Sequence, residues 1–384
     1  MAGKKLSFAR DREQIFHRTA LAEDLLRRLI EPSYKSGLFL SAPRRTGKTT
    51  FIKADLLPLL RGAGAIVIYA DLWEQKSINP AKVVIAAIAE AILHEGGHVT
   101  KLAKALGLKK VKVGGLEMDL EAIGTQDGDS IAKTLEKLSA ASGKPIVMVI
   151  DEAQHAQTTE EGRDTMFALK AARDALILGE GEGFRLIATG SNSDRLRTLV
   201  ASKDQAFFGA KEQHLPELGD TYLQWVLTSS PFKGTLSLDA LRQAFEVFSR
   251  RPEPLQGLLT VLHDDPAFDA SSIDKVFAER AAESMDHSRQ TFLASLRSMD
   301  ALDAAVYRRM AELGEEFTPF DDGALKHYES LMNQVNPGAT AERPSKSQVQ
   351  GALERLRKET MVWNAGRGIW YIEDSQHRAW TLDS

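Results

Sequence analysis

Two short segments hold the residue types that could grip and cut a polyphosphate. One is Ala42-Pro43-Arg44-Arg45-Thr46-Gly47-Lys48-Thr49; the other is Ile146-Val147-Met148-Val149-Ile150-Asp151-Glu152. A triphosphate crowds several anionic oxygens into a small volume. Successive backbone N–H groups of a tight loop, with the positive end of a following helix, can cradle them. Gly47 permits the close backbone approach that a Cβ would hinder. Lys48 is placed to reach the β- and γ-phosphates, and the Thr49 hydroxyl is a ligand for Mg2+. Pro43, Arg44, Arg45, Thr46, Gly47, Lys48, Thr49 and Thr50 are therefore the candidate nucleotide-binding set, of Walker A pattern. Ala42 stands where the first glycine of that pattern usually does; as the smallest substitute, it is expected to be tolerated. In the second segment, of Walker B pattern, an apolar run ends in two carboxylates. Asp151 can hold Mg2+ through water, and Glu152 can orient and deprotonate an attacking water. ATP and Mg2+ are the expected cofactors, with Thr49 and Asp151 as metal ligands. The plainer readings are an arginine-rich loop and a buried strand with a solvated acidic end.

These groups need strands and helices to hold them. The loop follows the apolar run Gly37–Leu40 and precedes a helical stretch, Thr49–Leu60. Uninterrupted apolar runs such as 146–150 suit strands buried on both faces of a parallel sheet. Helices are expected at Phe16–Ile30, Pro80–Leu93, Ser130–Ser142 and Gly162–Leu178, and strands at 65–70 and 184–189. This alternation predicts an α/β fold with a parallel sheet. Lys109–Val113 and Leu116–Leu120 flank Gly114-Gly115 as a hairpin insertion, and 179–183 reads as a glycine-rich loop. After the 184–189 strand, Thr189-Gly190-Ser191-Asn192-Ser193-Asp194 puts small polar groups at the sheet edge where ligands of open α/β sheets bind. Asn192 or Thr189 could sense the γ-phosphate there; Ser191 or Ser193 could equally cap a helix over 194–199.

Composition sets outer limits. The chain has 384 residues, enough for two or three domains, with 43% hydrophobic and 27% charged residues, which argues for folded domains. It contains no cysteine, hence no disulfide or thiolate metal site. The net charge of −4 does not advertise nucleic-acid binding, which would need a local basic patch. No apolar run approaches the ~18 residues of a membrane span, and no signal-peptide core follows the basic start, so the expectation is a cytoplasmic protein without membrane contact. His155, His214, His263 and His287 lack metal-ligand spacing.

The chain resembles the AAA+-like ATPases of the archaeal/STAND type, related to the origin-recognition initiators. The likeness rests on Phe16-His17-Arg18, Ala42–Thr49, Asp71-Leu72-Trp73, Asp151-Glu152-Ala153-Gln154, Gly190-Ser191-Asn192, Phe208–Lys211 with Leu215–Leu218, and Arg250-Arg251-Pro252. It implies a P-loop core of ASCE/AAA+ type over 1–230, a helical lid over 231–295 and a winged-helix-like domain over 296–384. By this likeness Lys48, Glu152, Asn192 and Arg251 are the catalytic set, with Arg251 as the lid arginine on the γ-phosphate. Relatives carry Gly-Arg where this chain has Gly209-Ala210-Lys211; Lys211 replaces that arginine, or Arg195 or Arg197 acts across subunits.

Toward the C-terminus, helices at 300–313, 322–335 and 345–359 precede a hairpin, 361–363 and 369–372, with Arg367 at its tip. In DNA binders of that shape the last helix enters the major groove and the wing touches the backbone or minor groove. Arg343, Lys346, Arg355, Arg357, Lys358 and Arg367 are the candidate phosphate contacts. Winged helices also bind proteins, and Glu354, Glu359, Glu373 and Asp374 dilute the patch. The expected function is an ATP-hydrolysing switch that couples ATP/ADP state to double-stranded DNA or to assembly, as a homo-oligomer or with a partner protein. The alternative is a signalling or antiviral-defence switch whose C-terminal domain binds protein.

Overall fold

The structure, a computed structural model, describes residues 15–74, 78–97, 109–113, 115–125, 128–178, 182–191, 196–201, 203–265, 272–335, 342–366 and 368–384. The chain divides into two compact units, Met1–Lys233 and Gly234–Ser384. No helix of the described residues is long and apolar enough to cross a membrane.

The first unit is built on a five-stranded sheet with strands β1 (Leu38–Ser41), β2 (Ile66–Asp71), β5 (Ile146–Asp151), β6 (Phe184–Gly190) and β7 (Glu212–His214). Their order is β2-β5-β6-β1-β7 and every pairing is parallel. Alternate side chains serve two cores, as period-two strands require. Ile66, Ile68, Met148, Ile150, Leu186 and Ala188 face one, together with helices α3 (Pro80–Glu95), α4 (Ile131–Ser142) and α5 (Glu160–Leu178). Leu38, Leu40, Val147, Val149 and Ile187 face the other, with α1 (Thr19–Ile30) and α2, which runs through Lys48–Phe51, Ile52–Leu56 and Leu57–Gly62. The unit closes with α6 (Asp220–Ser229).

Local chemistry sets several element ends. The Asn79 side chain accepts from Ala81 N–H to start α3, and Ser130 accepts from Lys133 N–H to start α4. The expected insertion is present as β3 (Lys110–Val113) paired antiparallel with β4 (Leu116–Asp119). Val111, Val113 and Met118 fix it to the α3–α4 core. Gly114 and residues 179–181 of the glycine-rich loop lie outside the described residues.

Two boundaries differ from the sequence reading. The first helix starts at Thr19, not Phe16: the backbone at Arg18 is non-helical, with φ −115° and ψ 48°, and its N–H is satisfied by Asp55 Oδ2 at 3.0 Å. The second helix contains a π-turn over Ile52–Leu56, just ahead of Pro58, which has no N–H to give to the carbonyl of residue 54.

The second unit is helical up to a terminal hairpin. Helices α7 (Leu238–Val247) and α8 (Pro252–Asp264) pack on the long α9 (Ile273–Ser298). Phe292 and Leu296 of α9 enter the core formed by α10 (Ala301–Leu313), α11 (Asp322–Val335), α12 (Lys346–Lys358) and the hairpin β8 (Val362–Gly366) and β9 (Ile369–Ile372). That arrangement of helices and hairpin is a winged helix, with the lid helices before it. The sequence-expected lid and winged-helix segments thus lie in one compact unit and share α9. A final helix, α13 (Ser375–Leu382), begins at Asp374, whose carboxylate accepts from Gln376 N–H.

Within this core, Asp303 of α10 accepts both arms of the Arg355 guanidinium, Nε at 2.8 Å and NH2 at 2.6 Å. Asp303 is 10% exposed and Arg355 is 54% exposed, so the two partners do not lose equally when separated. Arg355→Ala leaves a buried carboxylate unpaired and should cost about 1–3 kcal/mol, whereas Asp303→Ala releases a guanidinium that water can solvate and should cost less. Urea denaturation of the two variants checks this; equal losses would remove the asymmetry.

Candidate active site

The loop between β1 and α2 turns on two left-handed residues, Arg45 at φ 63° and Gly47 at φ 84°. Gly47 adopts this conformation without the penalty an L side chain carries, directly before Lys48 opens α2. Thr46 Oγ1 donates to Pro43 O at 2.7 Å and braces the turn. Ala42 is outside the positive-φ set, is 3% exposed, and donates its N–H to Gly190 O at 3.0 Å. It extends the β1–β6 ladder by one residue, so the missing glycine costs the loop nothing conformationally.

Strand order brings the second motif to this loop. β6 lies between β1 and β5, and Asp71 is in register with Asp151. Asp151, 1% exposed, gathers donors from every neighbouring strand end. Its Oδ1 accepts from Lys48 Nζ at 2.8 Å, from Glu152 N–H at 3.1 Å and from the Thr189 hydroxyl. Its Oδ2 accepts from Thr49 Oγ1 at 2.8 Å and from the Tyr69 hydroxyl at 3.4 Å.

Glu152 follows with a left-handed backbone, φ 54°. Its Oε1 accepts from Lys48 Nζ, while its Oε2 accepts from Gln154 Nε2 at 2.6 Å and Ser191 N–H at 3.2 Å. Burial alone would raise the Glu152 pKa, but the Lys48 charge and these donors outweigh it and hold the carboxyl at about 2. Burial likewise disfavours the Lys48 ammonium, and the two carboxylates overcome this and raise its pKa. Burial, with Asp151 and Asp71 beside it, pushes the Tyr69 hydroxyl well above its ordinary value.

The phosphate loop has further neighbours. The Arg44 guanidinium lies 4.2 Å from the centre of the Trp73 ring, and Nε donates to Ser191 Oγ at 3.3 Å. Trp73 packs on His155 with ring centres 4.5 Å apart. His17 Nδ1 is 2.6 Å from Asp55 Oδ1, and the Arg18 side chain donates to Pro216 O. A Cβ at Gly47 would sit 3.8 Å from Leu218, so the Leu215–Leu218 stretch borders the loop.

Of the sequence-predicted residues, Lys48, Thr49, Asp151, Glu152 and Thr189 converge on one point. Asn192, Ser193, Asp194, Arg195 and Arg367 lie outside the described residues. Arg251, in the second unit, makes a two-armed pair with Asp374, at 2.8 and 3.2 Å. Arg355 is engaged by Asp303, Arg357 pairs with Glu354 at 2.7 Å and Arg343 with Asp322 at 2.9 Å. Lys346 and Lys358 are exposed on α12. Sequence reasoning did not find the roles of Tyr69, Gln154 and the Ser191 N–H. Of these only Gln154, two residues past Glu152, carried a local signal.

No family model matches the chain, and no curated protein matches it. Among solved structures it is similar to the ORC2 protein of Aeropyrum pernix in its ADP form, at 12% identity, covering 95% of this chain and 92% of that chain with a TM-score of 0.50. The chain has an ORC-like AAA+ fold. It is also similar to ADPNP–ADP complexes of that ORC2 protein, at 13% identity over 98% of this chain and 94% of that chain with a TM-score of 0.48. The ORC1 protein of Aeropyrum pernix in complex with DNA is similar at 15% identity over 98% and 94% with a TM-score of 0.42. In this fold the parallel sheet and phosphate loop of the first unit are followed by the helical lid and winged helix of the second.

The depressed Glu152 pKa makes the AAA+ core acid-sensitive. A carboxyl held at about 2 against an ordinary 4.5 adds stability that is fully present above pH 4.5 and lost as pH falls toward 2. Its full size is about 3 kcal/mol. Denaturation midpoints of the nucleotide-free protein and of Glu152→Gln, measured from pH 6 to pH 3, should therefore converge as pH falls. A constant gap would show that Glu152 is not held ionised by Lys48.

Proposed function

We propose that this protein is an AAA+-type switch that binds and hydrolyses ATP, of the archaeal ATPase/STAND kind, cytoplasmic, and coupled to DNA binding or assembly. The observation that carries the reading is the convergence of Lys48, Thr49 and Glu152 around the buried Asp151. Thr49 Oγ1 and Asp151 Oδ2, 2.8 Å apart, are a pair of hard oxygen donors of the kind Mg2+ prefers. Bound there, Mg2+ would neutralise charge on the phosphates. The remaining work belongs to the chain. N–H groups of residues 44–50 cradle the phosphates, and Lys48 transfers its ammonium from the carboxylates to the β- and γ-oxygens. Glu152, freed of Lys48, takes the proton of the attacking water. Thr189, hydrogen-bonded to Asp151, would face the γ-phosphate edge, and Asn192 is the candidate sensor proposed from the sequence. Arg251 is the candidate lid arginine, and Lys211, Arg195 and Arg197 are candidates for a residue supplied across a homo-oligomeric contact.

DNA is the proposed partner of the winged helix, through Lys346, Lys358, Arg343, Arg355, Arg357 and Arg367. A second reading has its own support. Arg343, Arg355 and Arg357 already face carboxylates of the same unit, which lowers the charge offered to phosphates and favours a protein partner.

ATP turnover with and without double-stranded DNA, at low and moderate salt, tests the reading. Glu152→Gln should bind ATP and lose about 10²–10⁴-fold in turnover. Lys48→Ala should lose ATP binding, and it should also melt earlier, because two buried carboxylates lose their counter-charge. Stimulation by DNA that fades with salt and falls in Arg357→Ala/Lys358→Ala supports the DNA arm. Turnover indifferent to DNA moves the partner to protein, and unchanged turnover in Glu152→Gln removes Glu152 from the mechanism.

A further inference from the structure

We propose that Gln154 is the positioning residue that anchors one oxygen of Glu152, so that the other oxygen is the one that meets the attacking water. The inference rests on the hydrolytic reading above and deepens it. Glu152 divides its partners by oxygen: Oε2 is held by Gln154 Nε2 at 2.6 Å and Ser191 N–H at 3.2 Å, and Oε1 is held by Lys48. Only the Lys48 bond must break when the ammonium moves to phosphate oxygens. Oε2 keeps its neutral donors, and Oε1 becomes the vacant acceptor. In the step itself, water oxygen bonds to the γ-phosphorus, the bond to the bridging oxygen breaks, ADP leaves with that electron pair, and the water proton goes to Glu152 Oε1.

Gln154 is built for one orientation. It is 0% exposed, and its Oε1 has no hydrogen-bond partner among the described residues. An unmatched buried acceptor costs about 1–3 kcal/mol. Turning the amide over would not relieve this, because it would set oxygen against the Glu152 carboxylate at the 2.6 Å now spanned by N–H. The cost is accepted so that the N–H faces Glu152. Gly190 makes the room: a Cβ there would come within 2.8 Å of Gln154 Oε1 and 3.2 Å of Leu196. The Gly190 carbonyl in turn accepts from Ala42 N–H, tying this packing to the phosphate loop.

The test compares Gln154→Met, which keeps the volume and loses the donor, with Gly190→Ala, which leaves Gln154 in place and displaces its head. ATP affinity, kcat and the thermal melt are measured on the full chain. Both variants should keep a cooperative melt and bind ATP within about twofold of wild type, while kcat falls about tenfold or more. Wild-type kcat in Gln154→Met would overturn the proposal while leaving Glu152 as base. A wild-type protein that binds ATP but never turns it over, with or without DNA, would overturn the hydrolytic reading itself, and the proposal with it.

Discussion

The buried carboxylate of Asp151 is the constraint on which the AAA+ core depends. Taking such a charge out of water costs several kcal/mol unless nearly every lone pair finds a donor. The donors come from different strands: Lys48 and Thr49 after β1, Tyr69 from β2, Thr189 from β6, and the N–H of Glu152. A slip of one residue in any of these strands would turn its donor to the opposite face of the sheet. Register, strand order and site are therefore one solution. β6 between β1 and β5 is what lets Thr189 reach Asp151 while Gly190 pairs with the phosphate loop.

What could be read from the sequence was whatever chemistry demands at close spacing. A phosphate cradle needs glycine, lysine and threonine in consecutive positions, and a strand buried on both faces needs an uninterrupted apolar run. Both survive as text in 42–49 and 146–152. Less legible were contacts made by residues far apart in the chain. Phe16 to Arg18 have the composition of a helix start, yet the backbone at Arg18 is non-helical and Asp55 accepts its N–H. Asp55 itself reads as an ordinary polar residue of α2, and only the π-turn and the docked segment explain why it is buried. Basic residues on α12 read as a surface for phosphates. Arg355 has a carboxylate from α10 in front of it, and no spacing within α12 announces Asp303.

Lys48 shows how the proposed nucleotide site would act as a switch rather than a plain receptor. Its ammonium is 6% exposed and paired with both Asp151 and Glu152. On the proposed reading, a nucleotide would gain its contact only by breaking that pair, so its affinity would be the net of two close interactions. The exchange gives the ligand unequal contacts in two arrangements of the same residues, and a ligand can shift a protein between arrangements only by such a difference.

Arg251 stands in the same relation to Asp374. Its side chain is 12% exposed and held in a two-armed pair by a carboxylate that also starts helix α13. Burial would raise the Asp374 pKa, but the hydrogen bond and charge of Arg251 lead the interactions that lower it. If Arg251 serves a γ-phosphate, it must surrender Asp374, and the first turn of α13 loses the charge that holds its capping residue. Strengthening one contact then necessarily weakens the other, which is the reciprocity that any coupling between two sites obeys. A lid arginine paired inside its own unit would then report a phosphate through what it abandons as much as through what it binds.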